Sequence, residues 1–293
     1  AEERPVFVIG NPRSGTTLLR LMLTSHPEVC IPPEAGFAVW LHRDFWGWAP
    51  SDGIGEFLDR LLETRKFEHW GLGRDDLEAA WDRYPPEDYG GLAAAVYLAY
   101  RDEVFPDASI WGDKNNFHVA EIPTILKIFP AARFVHIVRD GRNVAASYRS
   151  IGHDLESPYA PRLSHDPASI AREWSGNVAR VEGQLDALGA GRSVTIRLED
   201  LRDDPETALG AVCAMLGIRY DPAMLSFHRL TEGAGGEPAE YDPWKAANRR
   251  PLSPGDRERF REDLTRDEIV AFEQVAGRAL ETFGYPVDGG GPG

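Results

Sequence analysis

Cysteine is nearly absent: the 293 residues hold two, Cys30 and Cys213. They form no C-x-x-C pair, so neither a disulfide framework nor a cysteine metal site is expected. Free thiols are the expected state, with one disulfide the alternative. Positive charge is also short, with 32 Lys and Arg against 47 Asp and Glu and a net charge of −15. That balance excludes nucleic acid and anionic membrane as the main partner, and makes any basic pocket for an anion a local feature. No apolar run reaches the roughly 18 residues of a membrane span. No basic-then-apolar leader opens the chain, so a cytoplasmic setting is expected. The composition, 42% hydrophobic and 27% charged, suits a globular chain able to bury one large α/β core or two small ones.

The most telling absence is a lysine. Pro5-Val6-Phe7-Val8-Ile9 reads as a buried strand, and Leu18-Leu19-Arg20-Leu21-Met22-Leu23 as a helix. Between them lies Gly10-Asn11-Pro12-Arg13-Ser14-Gly15-Thr16-Thr17. Strand, tight glycine turn and helix start form a phosphate cradle, in which backbone N–H groups and the helix dipole converge on an anion. The spacing G-x-x-x-x-G-[ST] is that of a P-loop, but Thr16 stands where that motif has its lysine. Arg13 offers a positive charge inside the loop instead. Such a loop does not look built to transfer the γ-phosphate of ATP.

Strands are expected near 28–31, up to Lys114, over 133–138 and over 194–198, with helices near 118–129, 140–150, 167–188, 205–216, 221–229 and 266–283. The fold class that follows is α/β: a P-loop-type central parallel β-sheet flanked by helices. A helical insertion or cap at about 36–105 is broken at Gly71-Leu72-Gly73 and Pro85-Pro86. A single domain is expected over 1–284, with a flexible tail at 285–293. The Pro- and His-containing stretch 152–166 reads as a loop. The Gly-, Pro- and charge-rich stretch 232–256 reads as a lid or binding loop. Ligands of such sheets sit at the carboxyl ends of the strands, where the motifs fall.

Three segments join the loop there: Gly112-Asp113-Lys114-Asn115-Asn116, Val138-Arg139-Asp140-Gly141-Arg142 running on to Ser147, and Arg197-Leu198-Glu199-Asp200. With them the chain resembles the PAPS-dependent sulfotransferases, most of all the branch of bacterial and tyrosylprotein enzymes. The resemblance spans roughly residues 5–205, with a short echo in Lys245-Ala246-Ala247-Asn248.

The resemblance implies a donor, 3′-phosphoadenosine 5′-phosphosulfate, with 3′,5′-bisphosphoadenosine as product and no metal requirement. Arg13, Ser14, Gly15, Thr16 and Thr17 match the loop that holds the 5′-phosphosulfate. Arg139 and Ser147 match the pair on the 3′-phosphate. Lys245 matches the K-x-x-N of the cofactor-closing loop. Glu34 matches the general base of the tyrosylprotein branch, and Lys114 the lysine that stabilises the sulfuryl and leaving oxygens. A raised pKa is expected for Glu34, from burial against Phe37 and the nearby anion. The cytosolic branch takes its base from a His two residues after a Lys, and here Asn115-Asn116-Phe117 separates Lys114 from His118. His118 is the fallback base. The family often has R-Y-E-D where this chain has Arg197-Leu198-Glu199-Asp200, so an adenine-side contact is missing or supplied elsewhere.

Plainer roles stand beside these. His136 alternates along its strand as a core residue. Glu199 and Asp200 start a helix and orient Arg197. The aromatics Phe37, Trp40, Phe45, Trp46 and Trp48 divide between cap core and acceptor pocket. The expected function is sulfuryl transfer to the hydroxyl of a small or medium acceptor. A P-loop kinase or other nucleotide-binding phosphotransferase is the alternative, and a non-catalytic nucleotide-binding protein a third reading.

Overall fold

The computed structural model describes residues 4–151, 163–231, 233–239, 245–254 and 257–287. Most of the loop expected at 152–166, part of the stretch 232–256 and most of the tail at 285–293 lie outside the described residues. Five parallel strands make one sheet: β1 Val6–Ile9, β2 Val29–Cys30, β3 Ile110–Lys114, β4 Arg133–Val138 and β5 Ser193–Arg197, in the order β2-β3-β1-β4-β5. Each of the four β1 residues is fully or almost fully buried, as a strand covered on both faces requires. β1 pairs with β3 on one side (Val6 opposite Gly112) and β4 on the other (Val8 opposite Val135). The carboxyl ends of these three strands therefore open side by side, at the point where the winding direction reverses.

Helices close both faces. Thr16–Thr24 follows β1, and Gly141–Ser150 follows β4 with Asp140 as its N-cap, the Asp140 side chain accepting from the Arg142 N–H. The cap appears as helices Phe37–Trp40, His42–Phe45, Gly55–Leu62, Arg74–Arg83 and Tyr89–Val104. Gly71, in the left-handed region, breaks it where the sequence suggested. Its core is aromatic: Tyr97 stacks on Trp111 of β3 with ring centroids 4.5 Å apart, and Trp70 packs on Phe37 and Tyr97. The helix expected over 118–129 is two pieces, a 3₁₀ turn Asn116–Ala120 and a helix Ile122–Ile128. Pro123, which cannot donate inside a helix, sits in the first turn of the second piece. The 221–229 helix is 3₁₀ over Pro222–Arg229.

His136 is buried in β4, its Nδ1 2.7 Å from Glu182 Oε1. Asp200 holds Arg197 through two bonds of 2.7 Å, while Glu199 accepts from the Asp140 N–H and the Tyr285 hydroxyl. The Tyr285 contact anchors the chain just after its last helix, Arg266–Thr282. Cys30 and Cys213 are free, buried thiols. Among the described residues no helix is long and apolar enough to cross a membrane.

Candidate active site

The loop after β1 is shaped by backbone that few residues adopt. Arg13 has φ 68° and Gly15 φ 91°, so Ser14 lies between two left-handed residues, and its N–H returns to the Asn11 carbonyl at 3.1 Å. For a non-glycine such as Arg13 this conformation is strained, a cost usually retained at functional sites. Gly15 is the N-cap of Thr16–Thr24 and provides no side-chain cap. Asn11 ties the loop down by donating to the Tyr148 hydroxyl (3.0 Å) and accepting from Asn177 (2.7 Å). The Ser14 hydroxyl is buried with no hydrogen-bond partner among the described residues. An orphaned donor in a strained loop at a helix N-terminus fits an anion.

The helix after β4 meets this loop. Arg13 Nε donates to Ser147 Oγ at 3.1 Å, and Arg139 Nη1 donates to the Arg13 carbonyl at 2.9 Å. Trp174 Nε1 holds the Arg139 carbonyl at 3.1 Å. Burial pushes Arg139 down to about 10 and lowers Arg13 as well, although both remain cationic at neutral pH. The other arginine of this motif has a different employment. Arg142 is buried between Asp140 (2.7 Å) and Glu273 (2.5 Å) and ties this helix to Arg266–Thr282.

Glu34 sits on the turn after β2. Trp70 Nε1 donates to the Pro33 carbonyl (2.9 Å), while Arg20 (2.9 Å) and Thr24 (3.0 Å) donate to that of Ile31. The carboxylate is buried among ammonium groups. Lys114, from the end of β3, is in direct contact with Oε1, Lys245 Nζ lies 3.7 Å from the same oxygen, and Lys66 Nζ lies 2.5 Å from Oε2. Lys114 also donates to Thr17 Oγ1 at 3.1 Å, and Thr16 Oγ1 to Asn116 at 3.2 Å. The expected rise in the Glu34 pKa is overturned: burial pushes the carboxyl up, but Lys114, Lys245 and Lys66 together hold it well below the usual carboxylate range. Lys114 is pushed down to about 8 by burial, against the pull of Glu34.

His118 is fully buried, edge-on to Phe7 with ring centroids 5.5 Å apart. Burial drives its pKa to about 3, so the imidazole is neutral and a poor proton acceptor. Its Nε2 lies 3.5 Å from Asp113 Oδ2. With a neutral ring this is no ion pair, and neither ring nitrogen has a hydrogen-bond partner among the described residues. Asp113, pushed up to about 7 by burial, accepts instead from the Tyr97 hydroxyl, the Lys114 N–H and Asn115.

The fold thus gathers the sequence-derived residues into two adjoining groups. Arg13, Ser14, Gly15, Arg139 and Ser147 surround the loop. Thr16, Thr17, Glu34 and Lys114 lie along the helix start and the ends of β2 and β3, and Lys245 reaches Glu34 from the segment 245–254. Lys66 was not foreseen. It belongs to no motif and reaches the site from the cap, although its φ of 74° marks it as the other left-handed non-glycine among the described residues. The aromatics divide: Phe37, Phe45 and Trp48 are core, while Trp40 is 45% and Trp46 43% exposed. Trp40 stacks on Phe117, beside Asn116, with centroids 5.3 Å apart.

Comparison with known proteins agrees with this architecture. A model of a sulfotransferase family matches residues 5–222, and a sulfotransferase-domain model matches 178–274. Protein-tyrosine sulfotransferase 2 of Gallus gallus is 26% identical, the match covering 80% of this chain and 57% of that protein. Nodulation protein NoeE of Sinorhizobium fredii is 25% identical, with 94% and 64% covered. The chain thus spans less than two thirds of the length of these two relatives. The sulfotransferase domain of the Synechococcus PCC 7002 olefin synthase superposes with a TM-score of 0.63 over 98% of this chain and 97% of that one, at 22% identity, and so shares its fold. Since the first match takes in the loop, the Glu34 turn, Lys114, Arg139 and Ser147, this chain belongs to the sulfotransferase family.

Proposed function

We propose that the chain is an enzyme that moves a sulfuryl group from 3′-phosphoadenosine 5′-phosphosulfate to the hydroxyl of a small or medium acceptor. The observation that carries this is the adjacency of an anion-binding corner and a buried carboxylate–lysine pair. Arg13, Arg139 and Ser147 form a compact cationic corner, and the buried Glu34–Lys114 pair stands across Thr17 from the loop.

The donor, when bound, supplies a sulfuryl group already activated by its phosphate leaving group. Arg139 and Ser147 hold the 3′-phosphate. The Arg13–Thr17 segment holds the 5′-phosphosulfate, and the orphaned Ser14 hydroxyl finds a partner there. Lys245 adds a cation from the closing loop. The chain fixes these donors before reaction, so little reorganisation is needed when charge develops. Glu34 takes the acceptor proton at Oε2, the oxygen Lys66 now covers. Lys114 meets the charge that grows on the leaving oxygen.

Calorimetry tests the donor assignment: 3′,5′-bisphosphoadenosine should bind in the absence of Mg²⁺ and more tightly than 5′-AMP. A mass screen of hydroxyl compounds with donor present should show a sulfonate gain. Preference for Mg²⁺-ATP over the bisphosphate would sink this reading and favour a phosphotransferase.

A further inference from the structure

Arg20 is fully buried on Thr16–Thr24, about one turn beyond Thr17. Its Nη1 donates to the Ile31 carbonyl at 2.9 Å and the Gly235 carbonyl at 2.8 Å, and its Nη2 meets Glu237 Oε1 at 2.6 Å. The other oxygen of Glu237 holds Lys245 Nζ at 2.6 Å, and that ammonium faces Glu34 Oε1 at 3.7 Å. Glu34 contacts Lys114, and Lys114 donates to Thr17. The contacts leave one helix at Arg20 and return to it at Thr17. They form a closed ring of alternating charge through the closing segment, the Glu34 turn and the end of β3.

Glu237 is 6% exposed, and Arg20 and Lys245 pull its carboxyl down to about 2 against the effect of burial. Buried ion pairs are a poor source of stability, because desolvation offsets their attraction. What they supply well is position. Arg20 touches both segments that must meet: the strand end that carries Glu34, through Ile31, and the segment that carries Lys245, through Gly235 and Glu237.

We propose that Arg20 and Glu237 are positioning residues: they station the Lys245 ammonium beside Glu34 without letting it close onto the carboxylate. The inference rests on the functional reading above. Without the Glu237 charge, Lys245 loses its 2.6 Å carboxylate contact and still faces Glu34. The ammonium closes the 3.7 Å gap, Glu34 gains another direct cation, and it becomes a weaker base. Nucleotide binding, carried mainly by the loop, Arg139 and Ser147, changes little.

The test is a double-mutant cycle on Glu237→Gln and Lys245→Met. It reads bisphosphoadenosine affinity by calorimetry and its release from the donor with 4-nitrophenol as acceptor. Glu237→Gln should lower turnover about tenfold or more while affinity stays within about threefold, and in the Lys245→Met background it should change turnover by less than about threefold. Arg20→Lys keeps the charge but not the fork that joins three acceptors, and should reproduce the turnover loss. It decides the matter should Glu237→Gln not fold. Hydrogen exchange at Glu34–Gly36 follows the same cycle with no acceptor present, slowing in Glu237→Gln as Lys245 closes onto Glu34 and not slowing when Glu237→Gln is made in the Lys245→Met background. Additive effects, or affinity falling in step with turnover, overturn the proposal. A wild-type chain that does not bind bisphosphoadenosine overturns the functional reading itself, and this inference with it.

Discussion

Lys66 Nζ lies 2.5 Å from Glu34 Oε2, and the lysine that makes this contact is held in a left-handed backbone conformation. The contact covers one oxygen of the proposed base, while Lys114 covers the other. A base in this state is fully ionised but reluctant to accept a proton. For the proposed base to act, an acceptor hydroxyl has to displace a lysine, and Lys66 on Oε2 is the more accessible, being 17% exposed where Lys114 is fully buried.

The first prediction follows from the groups that face Glu34: Lys114 from β3, Lys66 from the cap, and Lys245 with Glu237 from the closing segment. The cations put its folded pKa well below the ordinary 4.5. Glu34 therefore contributes stability that is present above that ordinary value and is lost as pH falls through the folded one. Lys66→Met removes one cation, so the acid limb of the turnover profile should move to higher pH. A limb that stays in place would show that Lys66 does not act on the base.

Lys114 sets the other limb. Its pKa is pushed from 10.5 to about 8, so the ammonium proposed to stabilise the leaving oxygen should be lost as pH rises through about 8. Turnover should fall over that interval. Lys114→Arg keeps the charge far above this range. Whatever its absolute rate, its profile should lack the basic limb. A drop at the same pH in the variant would assign that limb to another group.

Two arginines three residues apart should separate binding from folding. Arg139→Ala removes a charge-assisted contact worth roughly 1.5–3 kcal/mol, so bisphosphoadenosine affinity should fall tenfold or more while 5′-AMP is barely affected. Arg142→Ala leaves Asp140 and Glu273 buried without their cation, at roughly 3–5 kcal/mol of stability. Denaturant midpoints and calorimetry on both variants check the division. Equal loss of both ligands in Arg139→Ala would remove the 3′-phosphate assignment.

The acceptor should have an apolar or aromatic body. Trp40 offers an exposed ring stacked on Phe117, and the net charge of −15 disfavours acidic peptides. Trp40→Ala removes about 0.5–1.5 kcal/mol of stacking. It should raise the KM of such an acceptor several-fold with kcat unchanged, the mark of uniform binding. Acidic tyrosine peptides sulfated faster than any small phenol or alcohol would count decisively against this.

The parts of the site legible in the sequence are those written as contiguous motifs at strand ends. The loop at 10–17, Glu34 after its prolines, Lys114, and Arg139 with Ser147 each follow an apolar run whose burial fixes where the next residues emerge. What stayed hidden arrives from far along the chain. Lys66 comes from the cap, and Arg20 and Glu237 meet across 217 residues. No local pattern marks an arginine inside an apolar helix as buried. The Glu34 pKa was misjudged for the same reason. Burial was visible in Phe37 and Lys114 was a visible counterweight, but Lys66 and Lys245, which join it to outweigh burial, converge only in three dimensions.

The sharpest test concerns which residue takes the proton. Glu34→Gln keeps shape and removes basicity. It should lower kcat a hundredfold or more, the range for a positioned base, with bisphosphoadenosine affinity nearly unchanged. Lys114→Ala should lower kcat too, with some loss of donor binding, since its ammonium serves both Glu34 and Thr17. His118→Leu replaces a neutral, fully buried ring by an apolar side chain and should leave turnover per folded molecule within a few-fold. Single-turnover kinetics on the three variants, with one sulfatable acceptor, separate chemistry from binding. A dead His118→Leu beside a nearly intact Glu34→Gln would move the base to the imidazole. The buried ring would then have to gain a path to the acceptor, and the lysines around Glu34 would be left holding a structural carboxylate.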